Sequence, residues 1–229
     1  MISTIDDVIA RLRTIGDSVG PGDGVGEFNA VYQRMTEAIQ DRLAEGFFDD
    51  ASFVEHFDVV LANRYFAAVD ADAAGRPVDP VWQPLFDFRS DRRVQAVQFV
   101  VAGMNSHINQ DLPLATVDAC VTAGTRPLAG TIPADYQKIN EVLEDIESKT
   151  RLSLLNDFER ALDEPVEPLV HLISSWSMDS AREAAWVRVQ VLWLLRAEPE
   201  LFNQSVAVSS KAVGMISRHL LTPLRPGLA

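Results

Sequence analysis

Apolar residues recur every three or four positions through most of the chain, the spacing that lays one stripe along an α-helix. Ile5, Val8, Ile9 and Leu12 begin the pattern. Ser3 or Thr4 stands before them as an N-cap, and Asp6 and Asp7 fall in the first turn, where acidic side chains favour the positive end of the helix dipole. Phe28, Val31, Tyr32, Met35, Ile39 and Leu43 draw a second stripe, which Gly46 stops. Asp49 or Asp50 caps a third helix carrying Phe53, Phe57, Val60, Leu61 and Tyr65. Glycine and proline punctuate the rest. Residues 16–26 hold five glycines and read as a mobile loop, and 70–84 and 124–133 read as irregular connections. Trp82, Leu85, Phe86 and Phe88 predict a short helical turn pinned to the core.

From Val94 the pattern changes. Residues 96–104 are apolar nearly all round, which for a helix means burial on every side. Their continuation, Asn105-Ser106-His107-Ile108-Asn109-Gln110-Asp111, is polar nearly all round, and Leu112-Pro113 bends or restarts the chain. Tyr136, Ile139, Val142, Leu143 and Ile146 form a further stripe. Leu152, Leu155, Phe158 and Leu162 follow, broken by Pro165 and Pro168, and then come Leu169, Val170, Ile173 and Trp176. A fresh start at Asp179 carries Ala181, Ala185, Trp186, Val189, Leu192 and Trp193, and Pro199 opens a last helix that ends before Pro223. No period-two segment flanked by hairpin turns and no internal repeat occurs. The expectation is an all-α, irregular multi-helix bundle of eight or nine helices in a single domain, residues 1–229.

Charge narrows the partners. The formal net charge is −13, a field that repels phosphate backbones and anionic membranes, so neither nucleic acid nor a membrane is expected as a partner. The best basic patch, Arg89, Arg92 and Arg93, lies beside Asp87 and Asp91 and reads as a solvated connector. The apolar stretches 96–104 and 184–195 are too short or interrupted to span a bilayer. One cysteine, Cys120, excludes a disulfide within the chain and reads as a small core residue. With no basic region and apolar run at the N-terminus, the expected place is the cytoplasm.

Chemistry concentrates in the polar run. His107 and Asp111, four apart, share a helix face, and Gly103 on that face leaves room for backbone, water or ligand. A carboxylate against an imidazole fixes its tautomer and raises its basicity, which suits a general base or a metal ligand. His107 and Asp111 are therefore the candidate catalytic pair, with Asn63, Arg64, Asn105 and Asn109 as candidate substrate-binding residues. Arg64 sits among apolar positions and needs an acidic partner, Asp111 or Asp118. The other histidines suit chemistry less: His56 reads as solvent-facing, His171 follows Pro168 at a helix start, and His219 lies near the C-terminus. No zinc or di-iron motif occurs, and no cofactor is specified by a motif. Trp176, Trp186 and Trp193, with Arg182 and Arg188, enrich the C-terminal half in aromatic groups that suit core or pocket walls.

Several strings together resemble a known family. They are Phe47-Phe48, Asp58-Val-Val-Leu-Ala-Asn-Arg-Tyr65, Trp82 with Leu85-Phe86, and Gly103-Met-Asn-Ser-His-Ile-Asn-Gln-Asp-Leu-Pro-Leu114. Asp135-Tyr136, Asn140 and Trp176 … Ala181-Arg182 … Ala185-Trp186 complete them. The chain is similar, over most of its length, to an all-helical, largely actinobacterial family known only as a domain of unknown function. That resemblance implies one domain and points to the same polar segment, and it implies no activity.

The residues thus predict a small-molecule enzyme or ligand-binding protein with a polar pocket centred on 105–111. His107 would exchange a proton and Asp111 orient it. A metal site built from His107, Asp111 and distant carboxylates such as Glu37, Asp58, Asp118 or Glu141 is one alternative. An interaction protein that uses the segment as a structural polar network is another.

Overall fold

A computed structural model describes residues 2–144, 146 and 177–223. The sequence-predicted stripes at 152–162 and 169–176, and with them His171 and Trp176, lie outside the described residues. All regular structure among the described residues is helical. Helices α1 (Ile5–Ser18), α2 (Gly24–Ala44) and α3 (Ala51–Ala73) are followed by the short α4 (Gln83–Phe88). Next comes α5 (Ala96–Ser106), which runs through a π-turn (His107–Asp111) into α6 (Leu112–Thr122). A helix over 132–144, here α7, precedes α8 (Met178–Leu195) and α9 (Pro199–Leu220).

The helix starts follow the expected chemistry. Thr4 accepts the Asp7 N–H at α1, Asp23 accepts those of Val25 and Gly26 at α2, and Asp50 accepts that of Phe53 at α3. Two expected loops are shorter than their composition suggests. With Asp23 capping, α2 begins at Gly24 inside the glycine-rich stretch 16–26, and α1 runs on to Ser18. Helix α3 likewise continues to Ala73, into the 70–84 connection. Gly24 is tolerated there because the Phe99 ring lies where its Cβ would stand, 2.3 Å away.

The continuous run α5–π–α6 is the axis of the molecule. From Val97 to Ser106 every residue is buried, and so are most of 112–120. Helices α2 and α9 pack along α5, while α3 and α8 pack along α6. Helix α1 closes over α2 and α3, and α4 wedges against α2, α5 and α9. Burying each large side chain of this axis, such as Phe99 or Leu112, contributes roughly 1.5–3 kcal/mol.

Polar residues on the axis are fully used on one side. Gln98 donates to the carbonyls of Leu220 and Thr222 (2.7 and 2.9 Å), so a core side chain caps the end of α9. Asn105 donates to Val213 O and Ser217 Oγ, and Ser106 donates to Val81 O. The expected solvated connector is instead partly pinned. Arg89 pairs with Asp23 at the start of α2 and with Asp72 near the end of α3, at 2.8 and 3.0 Å. Cys120 is fully buried and unpaired. No helix of the described residues is long and apolar enough to cross a membrane.

Candidate functional site

The π-turn has a local cause. Pro113 has no N–H to offer the carbonyl of Asn109 and its ring crowds that carbonyl, so a regular α-helix would be broken there. Widening one turn, with the Leu112 N–H donating to His107 O, carries the helix past the obstacle. The sequence predicts a bend or restart at Leu112-Pro113. The helix instead continues, because the wider turn absorbs what a kink would otherwise relieve.

The turn sorts the polar run into two directions. Asn105, Ser106, Asn109 and Gln110 serve the α9 side: Asn109 donates to Asn105 Oδ1 (3.0 Å), and Gln110 donates to Val206 O (3.2 Å). His107 and Asp111 face the other way, towards aromatic rings. The His107 ring lies 4.4 Å from Tyr32, 6.0 Å from Phe28 and 6.4 Å from Trp82, centroid to centroid. Phe28 also meets Tyr65 and Trp82, so one cluster from α2, α3 and the start of α4 fixes the imidazole. Gly103 supplies the space. A Cβ there would stand 2.3 Å from the Phe28 ring, so the room read from sequence as open to backbone, water or ligand is filled by a side chain.

His107 lines a cavity of about 40 Å³ with Tyr32, Thr36, Asp58 and Arg182 as the other polar residues. Its apolar wall includes Met35, Ile39, Leu61, Met104, Ile108 and Leu112. Thr36 donates to the Tyr32 carbonyl, but each of the other four has a buried atom without a hydrogen-bond partner: Tyr32 Oη, Asp58 Oδ2, His107 Nδ1 and Arg182 Nη2. They come from α2, α3, the π-turn and α8, so folding alone brings them together.

Their environment sets their charge. Burial, with the nearby Arg182 guanidinium, pushes the His107 imidazole down to about 3, so it is neutral at physiological pH. Burial, reinforced by Glu55, pushes the Asp58 carboxyl up to about 7. The Tyr32 phenol is raised by burial and by Asp58 and Asp111. Arg182 is only 4% exposed; its Nε donates to Asn140 Oδ1, and its guanidinium lies 4.8 Å from the Tyr136 ring centroid.

Of the six residues singled out from sequence, His107 alone lines this cavity. His107 Nδ1 and Asp111 Oδ2 are 3.9 Å apart, beyond hydrogen-bond reach, and Asp111 Oδ2 accepts the Trp82 indole N–H at 2.9 Å. Burial raises Asp111 to about 7, against the pull of Arg64 and of the Trp82 hydrogen bond. Asn63 donates to Ile2 O and Val59 O, tying the N-terminus to α3. Arg64 pairs with Asp118 at the half-exposed α3–α6 contact, the second of the two partners expected for it. Asn105 and Asn109 are the α9 contacts described above. Among the described residues no group of three His, Cys, Asp or Glu side chains is placed to share a metal ion. His56, expected to face solvent, is half-buried with Nε2 enclosed.

The sequence placed Tyr32 in a packing stripe, Arg182 in an aromatic-rich stretch suited to core or pocket walls, and Asp58 in a family string and as a distant metal ligand, but assigned none of the three to the His107 pocket. Their signal was position. Arg182 falls on the Met178, Ala185 and Val189 face, and Asp58 on the Val54, Leu61, Ala62 and Tyr65 face, so both put a charge on a face that folding buries.

No curated protein and no solved structure matches the chain. A family model does, over residues 5–223, nearly the whole length. The chain therefore belongs to DUF5995, a family of unknown function.

Proposed function

We propose that this protein binds a small polar molecule in the cavity beside the π-turn and acts on it by proton transfer. One observation carries the reading: four residues from four separate elements line one cavity, and each carries a buried polar atom without a partner. An unsatisfied buried polar group costs about 1–3 kcal/mol, so folded proteins rarely gather several in one place without something to satisfy them. A structural polar network would pair its members, as Asn105, Ser106 and Ser217 do on the α9 side. Neutral His107 accepts or donates a hydrogen bond without carrying charge. Asp58, poised near neutrality, is the group best matched to take up and return a proton. Asp111 and Trp82 hold the wall behind His107. The buried free thiol of Cys120 suits a reducing compartment, and the cytoplasm is the proposed location.

The test is a thermal-shift screen of small anionic, cationic and neutral metabolites on the full chain. At least one compound should raise Tm of the wild type and leave His107→Ala unmoved, while the unliganded variant melts within a few degrees of the wild type. A large fall in Tm for His107→Ala, with no compound acting on either protein, would show that the group serves the fold alone.

A further inference from the structure

Arg182 indicates what the cavity takes. A guanidinium does not shed its proton, so burial leaves a full positive charge in a medium that solvates it poorly. No carboxylate pairs with Arg182 among the described residues; its side-chain hydrogen bond goes to the neutral amide of Asn140, and Nη2 is unpartnered. The carboxylate that acts on Arg182 is Asp179, in the first turn of the same helix and not hydrogen-bonded to it. Around this cation the wall is mainly aliphatic, and Tyr32 Oη and His107 Nδ1 offer neutral hydrogen-bonding groups.

We propose that the cavity receives a short-chain monocarboxylate carrying a second oxygen function, with its carboxylate on Arg182 and its hydroxyl or carbonyl held by His107 and Tyr32. The proposal rests on the cavity being a ligand site. One negative charge balances one buried cation, whereas a phosphate dianion would leave excess negative charge beside Asp58. The forked guanidinium matches a carboxylate in shape as well as charge. Apolar side chains cover the alkyl part. A cavity of about 40 Å³ has room for roughly three waters, which restricts the guest to a few heavy atoms.

The experiment is calorimetric titration of the wild-type chain with straight-chain acids of two to six carbons, their 2- and 3-hydroxy and oxo derivatives, and the matching amides. A hydroxy or oxo acid should bind, with its amide weaker by at least ~30-fold, the loss expected when a buried charge partner is removed. Arg182→Met should abolish the preference for acid over amide, and Arg182→Lys should weaken acid binding by losing the fork. If either variant fails to fold, the acid–amide comparison on the wild type decides alone. Amides that bind as tightly as acids, with binding lost in His107→Ala, would overturn the carboxylate assignment and keep the cavity as a ligand site. Absence of binding by every acid at millimolar concentration would overturn the assignment outright.

Discussion

Asp58 is the residue whose burial has the most direct measurable effect. Its carboxyl is raised from an ordinary 3.8 to about 7, so between those values the folded protein holds a proton that the unfolded chain has released. Stability from this group is therefore greatest at low pH and is lost as pH rises towards 7. His107 acts in the opposite sense: lowered to about 3, it favours the folded state as pH rises from 3 to 6.5. Asp111 acts in the same sense as Asp58. Comparing wild type with Asp58→Asn isolates one group, because His107 and Asp111 remain in both. The variant should gain on the wild type by about 2–3 kcal/mol between pH 5 and pH 8, read from urea unfolding at each pH. A gap that does not change with pH would put this carboxyl in water.

At the scale of elements, the stripes and caps of α1, α2 and α3 were legible in the sequence because amphipathic period and capping chemistry are local. The run 96–104 was legible as buried for the same reason. Two features were not. Helix ends inside glycine-rich stretches depend on packing, as with Gly24 against Phe99, and composition alone reads them as loop. The π-turn depends on Pro113 meeting a helix that its neighbours hold in place, so the proline read as a bend or restart. Of the candidate site, the polar run contained His107, but Tyr32, Asp58 and Arg182 meet it only through contacts distant in sequence. Gly103 was noticed for its space, and the structure shows that Phe28 fills it. Gly103→Ala should therefore destabilise the protein by about 1–3 kcal/mol through overpacking. Adding Phe28→Leu should recover part of that loss, a coupling that a double-mutant cycle measures. Equal, additive losses would mean that Phe28 and Gly103 do not share the space.

Across the whole molecule, the α5–π–α6 axis is the element against which helices from both halves of the described chain pack. Its two ends answer to different partners: α5 to α2 and α9, and α6 to α3 and α8. Anything altering the turn between them must keep both sets of contacts in register. A π-turn amounts to one additional residue in an otherwise ordinary helix. A chain shorter by one residue within 107–111 could keep every α5 and α6 side chain on its present face, provided no proline interrupts it. Deletion of Asn109 combined with Pro113→Ala should then give a protein with wild-type helical content by circular dichroism and a cooperative melt. The same deletion with Pro113 retained should cost roughly 3 kcal/mol more, because the ring then falls inside a regular helix. Seen in this way, the π-turn is a one-residue insertion within a continuous helix, written into the chain by a single codon and one neighbouring proline.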